Sequence, residues 1–184
     1  MPEYFDFEVR LREIEPAIWR RFLLRKTLSF QALHQAIQDA GAWQDCHLFC
    51  FHSTHGRRTP IAEVAHDEER IAPPAGQVRL SRYFTGDPPQ ACLYQYDYGD
   101  DWYHDVVLRD VVAFTDRFER RLLGGERAFP PEDCGGVPGY ERMVEFRRTG
   151  TDPVEDDSAG LATWLGAWQP EAFNLAGAKR RFDR

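Results

Sequence analysis

Two stretches near the N-terminus alternate apolar and polar side chains, and this pattern constrains the fold more than any other feature of the sequence. From Phe5 to Leu11 every second residue is apolar, and the residues between are charged. After a break at Glu15-Pro16, a second alternating stretch runs from Ile18 to Leu24, with apolar residues on both sides. A period of two is typical of β-strands. The economical interpretation is an antiparallel hairpin, whose apolar face must be covered.

The next segment supplies that cover. Phe30, Leu33, Ile37 and Ala40 recur at helical spacing, and Ser29 stands where an N-cap belongs. A helix is therefore predicted over about 29–40, packed on the hairpin. Hairpin, helix and further strands in this order predict an α+β fold, a β-grasp-like mixed or antiparallel sheet covered by a helix, with additional C-terminal helices.

The rest of the chain shows further periodic segments. Strands are predicted over 46–52, 93–98 and 102–114, and helices over 140–148, 161–168 and 171–182, with short helices near 61–69 and 117–121. The segment 124–140 contains five glycines and three prolines and is predicted to be a loop. At 184 residues the chain is expected to be a single domain over 1–184, with a core at about 4–150 and a helical extension at about 158–182.

Composition excludes several functional classes. A net charge of −7 argues against an extensive nucleic-acid surface. No apolar run approaches the roughly 20 residues that span a bilayer, and the N-terminus has no signal-peptide pattern. A cytoplasmic protein without membrane association is expected. The stretch from Arg10 to Lys26 has six basic and two acidic residues, and a solvated sheet edge is favoured there over a basic binding patch.

The four cysteines are too scattered for a disulfide framework and are expected to be reduced. Cys46 and Cys50 belong to the stretch CHLFCFH, which imitates a zinc motif. On a strand, however, four residues span about 13 Å. That distance excludes a shared zinc ion and a disulfide bond. Both cysteines are predicted to be buried or half-buried on the third strand.

The stretch YDYGDDWYH, from Tyr96 to His104, concentrates unusual residues at one hairpin. Asp97, Asp100 and Asp101 lie within one turn. Aspartates in turns accept backbone N–H bonds, but three are more than one turn requires. His104 shares a face with apolar residues of its strand. It is therefore either a core histidine or a ligand to a metal or a small molecule.

The stretch PPEDCGG, from Pro130 to Gly136, places Glu132, Asp133 and Cys134 between two prolines and two glycines. A stiff frame of this kind presents side chains from a loop, or simply forms a structural loop. Both this stretch and the hairpin lack a lysine or an arginine. We predict that they adjoin, with His104, Asp100 and Cys134 within one metal-coordination sphere.

Several motifs together resemble the plasmid Ri open-reading-frame-three-like family, also known as the TnpR-like passenger domain of an insertion element. They are, in order, EIEPAIWRRF, SFQALHQAIQDAGAW, HLF, YQYDYGDDWYHDV and PPEDCGGVPGY. The resemblance covers about Tyr4 to Phe173, although Phe129 stands where the family usually has a cysteine. It implies an α+β fold and an association with plasmids or mobile elements, and it implies no established activity. The family positions that it carries over are His47, Asp97, Gly99, Asp100, Trp102, His104, Glu132, Asp133, Cys134 and Tyr140.

Two functional hypotheses follow, and whether the chain is an enzyme is left open. The first is a cytoplasmic binding or accessory module that recognises a protein, a peptide or a small ligand at the polar corner. Its candidate ligand-binding residues are His47, Asp97, Asp100, Trp102, His104, Glu132, Asp133 and Tyr140. The alternative is a metal-dependent hydrolase or nuclease, with a divalent metal ion as cofactor and Glu132 as general base. Its candidate metal ligands are His104, Asp100, Asp133 and Cys134, and His47 is an alternative ligand. A third interpretation gives both stretches a structural role alone.

Overall fold

The computed structural model describes residues 1–54, 59–63 and 71–184. Within these ranges, seven strands form one sheet in which every pairing of strands is antiparallel, in the order β4-β3-β5-β6-β1-β2-β7. The strands are β1 (Glu3–Leu11), β2 (Trp19–Arg25), β3 (Phe49–Ser53), β4 (Pro60–Glu63), β5 (Gln90–Tyr96), β6 (Trp102–Ala113) and β7 (Arg120–Glu126). The helices are α1 (Phe30–Gly41), α2 (Leu80–Tyr83), α3 (Gly136–Thr149), α4 (Ser158–Leu165) and α5 (Leu175–Phe182). The α+β fold is thus confirmed.

The N-terminal hairpin forms as predicted. β1 and β2 pair antiparallel with Phe5 opposite Leu24. Leu33 and Ile37 of α1 are buried in the same apolar core as the inward side chains of both strands. Phe182 of α5 is also fully buried, and its ring lies 5.2 Å from that of Phe22 on β2. The last helix therefore completes the core from the C-terminal side.

Three local predictions of secondary structure are wrong in whole or in part. Residues 60–63 form a strand because they pair with β3, and the remainder of the predicted helix at 61–69 lies outside the described residues. No helix forms at 117–121, where β7 begins at Arg120. The predicted loop at 124–140 is correct for residues 127–135, but its start belongs to β7 and its end to α3. Gly125 can sit in β7 because its missing side chain leaves room for Arg20, whose Cδ would lie 2.6 Å from an added Cβ. Pairing with β2 thus overrides the glycine signal.

The four cysteines are free. Cys50 is buried on β3, as predicted, whereas Cys46 is exposed. The prediction for Cys46 is wrong because β3 begins only at Phe49. The basic N-terminal stretch is largely neutralised by ion pairs such as Arg21 with Asp6. None of the described helices has the length and apolarity needed to cross a bilayer.

Candidate functional site

The hairpin after β5 and the loop before α3 adjoin in the structure. The Gly135 N–H donates a hydrogen bond to Asp100 Oδ2 over 3.0 Å. The backbones also meet closely, because a Cβ added to Gly136 would lie 2.6 Å from the Asp100 carbonyl oxygen. Asp100 therefore satisfies a backbone donor at the N-terminus of α3, which is a structural use of its carboxylate.

Three side chains meet beside these two segments. His47 comes from just before β3, Asp97 from the hairpin and Asp133 from the loop. His47 Nε2 lies 3.0 Å from Asp133 Oδ1 and 3.6 Å from Asp97 Oδ2. The nitrogen is buried, yet its contacts do not have hydrogen-bond geometry. One ligand atom from each residue lies within 4.8 Å of the other two. We call His47, Asp97 and Asp133 the cation cluster, since one imidazole and two carboxylates are ligands for divalent transition metals.

The backbone fixes both carboxylates of the cation cluster. Asp97 and Asp133 have φ angles of 58° and 59°, in the left-handed region that few residues other than glycine adopt. Asp97 Oδ1 accepts a hydrogen bond from Gly99 N–H over 2.9 Å, so Oδ2 is left to face His47. The Asp97 side chain is 10% exposed, whereas that of Asp133 is 71% exposed. The cluster therefore opens to solvent on the side of Asp133.

Glu132, the predicted general base, has partners on both oxygens. Oε1 accepts from Tyr96 Oη over 2.6 Å, and Oε2 accepts from Gln44 N–H over 3.1 Å and from Cys46 Sγ over 3.4 Å. Burial, and then Glu132, raise the pKa of Tyr96, and they act in the same direction on Cys46. These contacts connect the loop to the end of β5 and to the segment after α1. They give Glu132 an anchoring role.

His104 does not join the cation cluster. It is fully buried, and its ring lies 5.4 Å from Trp43, 5.2 Å from Tyr94 and 5.8 Å from Phe129, centroid to centroid. Burial lowers the pKa of His104 to about 3, and the backbone of Tyr94 and Trp102 offsets only part of this effect. The alternation of β6 points the ring into the core, beneath the loop.

The predicted grouping of His104, Asp100 and Cys134 therefore does not form. Cys134 Sγ contacts the Gly136 carbonyl oxygen at 3.8 Å, and burial, followed by the nearby Asp100 carboxylate, raises the pKa of Cys134 to about 12. A thiol of this kind is a poor ligand. Across the described ranges, the set of three or more potential ligands that does come together is the cation cluster.

The two aromatic candidates serve the core. Trp102 and Tyr140 are both buried. The Trp102 ring lies 6.4 Å from Trp43, and the Tyr140 ring lies 6.0 Å from Trp168, edge to face. They support the segments that carry the cation cluster without belonging to it.

A groove of about 750 Å³ begins at the cation cluster, and both Glu132 and Asp133 line it. Its walls come from the end of α1, from the segment 128–133 and from α4, α5 and the connection between them. Trp43 Nε1 donates to the Pro130 carbonyl oxygen over 2.7 Å, and Trp168 Nε1 donates to that of Phe129 over 2.9 Å. Sequence reasoning missed this groove because its walls are far apart along the chain. The tryptophans near 164–168 were the one available signal.

Comparison with known proteins agrees with this architecture. The protein of unknown function MM3350 from Methanosarcina mazei Go1 has a similar crystal structure, with a TM-score of 0.82 and 30% sequence identity, over 96% of this chain and 98% of that one. The uncharacterized protein y4hQ of Sinorhizobium fredii is 29% identical over 180 residues, which cover 96% of this chain and 89% of the relative. Residues 3–177 match the family described as plasmid pRiA4b ORF-3-like protein. The chain therefore belongs to the plasmid pRiA4b ORF-3-like family.

Proposed function

We propose that this protein is a small binding module that holds one divalent cation between His47, Asp97 and Asp133. The observation that carries the proposal is the convergence of three ligand atoms within 4.8 Å. Two like charges at this separation repel each other, and a cation relieves that repulsion. The left-handed backbone at both aspartates supports the same proposal, because strained conformations concentrate at binding sites.

Binding is favoured over the alternative of a hydrolase or nuclease. Metal-assisted hydrolysis needs a base that can take a proton from the attacking water. Glu132 is already bonded on both oxygens, and His104 is buried away from the cluster. We therefore assign the corner to recognition. The proposal includes a cytoplasmic location, which the four unpaired cysteines support.

Metal titration tests the proposal. Protein purified without a histidine tag and stripped with EDTA is titrated with Zn²⁺ and Mn²⁺ by calorimetry, and the metal retained after dialysis is measured. We expect one equivalent per chain. Removing a direct ligand with Asp133→Asn or His47→Gln should weaken binding by about tenfold or more. Asp133 is exposed, so Asp133→Asn should not disturb folding.

Two matched variants act as controls. Asp156→Asn removes an exposed carboxylate from the acidic segment before α4, and Asp100→Asn removes a carboxylate that serves the Gly135 N–H. Both should retain the stoichiometry of the wild type. If no metal binds in a defined ratio, or if Asp133→Asn and His47→Gln bind as tightly as the wild type, the cation cluster is not a metal site.

A further inference from the structure

The groove beside the cation cluster is lined by arginines that lack acidic partners. Arg20 is buried, and no carboxylate among the described residues pairs with it. Its guanidinium carbon lies over the Phe173 ring, 4.0 Å from the centroid, and over the Phe129 ring, 4.8 Å from the centroid. The side chain donates to four carbonyl oxygens, those of Trp19, Ala40, Glu126 and Arg127. These bonds satisfy donors, but they leave the positive charge without a counter-charge.

Two more arginines of the groove come from the last turn of α5. Both Arg180 and Arg181 are exposed. In the described part of the chain, neither has an ion pair, and Arg181 makes only a 3.4 Å hydrogen bond to the Gly177 carbonyl oxygen. Burial, and then the charge of Arg181, lower the pKa of Arg20 to about 9. Three like charges around one groove repel each other, and an anion would relieve this repulsion.

Within the described ranges, neither acidic residue of the groove, Glu132 or Asp133, forms an ion pair with Arg20, Arg180 or Arg181. Glu132 is bonded to Tyr96, Gln44 and Cys46, and Asp133 faces His47. These contacts direct both carboxylates toward the loop, but the neutral donors on Glu132 leave its negative charge in place. A ligand in the groove would meet the guanidinium groups of Arg180 and Arg181, which are available for new bonds.

Aromatic faces form the rest of the lining. Trp164 of α4 is 51% exposed, and Trp168 and Phe173 are half-buried. An exposed indole face is a platform on which a flat aromatic ring can stack. A groove of about 750 Å³ lies within the size range of small-molecule sites.

We propose that this groove binds a small ligand that carries a planar aromatic ring and a phosphate group, the chemistry of a mononucleotide. The ring stacks on Trp164, and Arg180 and Arg181 take the phosphate. Guanidinium groups form bidentate hydrogen bonds with phosphate oxygens. The negative charge of the phosphate also compensates the charge of Arg20. This site goes beyond the proposed cation site and does not require it, although Asp133 lines both.

The test uses adenosine monophosphate as the probe, with adenosine and inorganic phosphate as its two halves. Binding to the full chain is followed by tryptophan fluorescence and calorimetry in EDTA, so that the cation site plays no part. We expect adenosine monophosphate to bind about tenfold or more tightly than adenosine, which is the scale of one or two charge-assisted hydrogen bonds. Inorganic phosphate alone should bind more weakly than the whole nucleotide.

Two variants separate the contributions. The double substitution Arg180→Ala with Arg181→Ala should abolish the preference over adenosine, while Trp164→Ala should weaken adenosine monophosphate and adenosine alike. Arg82→Ala, which removes an exposed arginine of α2 outside the groove, should bind as the wild type does. The proposal is overturned if the nucleotide does not bind at millimolar concentration or binds no better than adenosine or phosphate. It is equally overturned if the double variant retains the full preference. Failure of metal binding would leave these outcomes unaffected.

Discussion

Gly136→Ala is expected to destabilise the protein by about 3 kcal/mol. Gly136 has a φ of 67°, which costs an alanine about 1 kcal/mol. In addition, the new Cβ would lie 2.6 Å from the carbonyl oxygen of Asp100. The neighbour is backbone and cannot rotate away, so the hairpin and the loop must separate. Chemical denaturation measures the loss, and metal titration of the folded fraction should show a weakened cation cluster.

Gly150→Ala is the matched control for this prediction. Gly150 flanks the other end of the same helix α3 and has a φ of 77°, but a Cβ there would meet no atom within 4 Å. It should lose only the cost of the backbone conformation, about 1 kcal/mol. Equal losses for the two variants would show that the close approach between Gly136 and Asp100 is unimportant.

Acid sensitivity should fall strongly when His104 is replaced by phenylalanine. The folded-state pKa of His104 is about 3, below the ordinary value of 6.5, because the ring is fully buried. Between these two pH values the unfolded chain carries a proton that the folded chain lacks. Above pH 6.5 the protonation of His104 should therefore add no pH dependence to the free energy of unfolding. The free energy of unfolding should fall by about 1.4 kcal/mol per pH unit as the pH drops below that value.

Denaturant titrations at pH 7.5, 6.0 and 4.5 check this prediction. His104→Phe should lose about 2 kcal/mol less than the wild type between pH 6.0 and 4.5. At pH 7.5 the free energy of unfolding of His104→Phe should lie within about 1 kcal/mol of the wild-type value. The neighbouring rings are aromatic, and the added volume is small. Burial also lowers the pKa of His34. His34 remains in the variant, so part of the dependence of stability on pH should persist. Identical slopes for both proteins would mean that His104 is accessible to protons in the folded state.

The sequence was informative wherever a periodic pattern coincided with a buried face. The hairpin and α1 could be predicted because the apolar stripes of both are complete within a few residues of chain. β7 could not, because its identity depends on pairing with β2, which lies about a hundred residues earlier. Its two glycines carry no apolar pattern, and local rules assign them to a loop.

The residues of the cation cluster were all named as candidates, but their grouping was not predicted. Asp97 and Asp133 come from the acidic hairpin and loop that the sequence singled out. His47 was named as a candidate, but the choice between His47 and His104 depends on which way a strand and its preceding turn direct the rings. Only the three-dimensional pairing of β3, β5 and β6 decides that.

The two tryptophan hydrogen bonds make the Phe129–Pro130 segment a mechanical link. Trp43 holds one carbonyl from the side of α1, and Trp168 holds the preceding one from the side of α4. Asp133 follows Pro130 within three residues, so the groove and the cation cluster share one short, proline-stiffened segment of backbone. Thermodynamic reciprocity then requires that whatever a groove ligand does to cation affinity, the cation does equally to the affinity for that ligand. Titrating either in the presence of the other measures the coupling free energy between the two proposed sites.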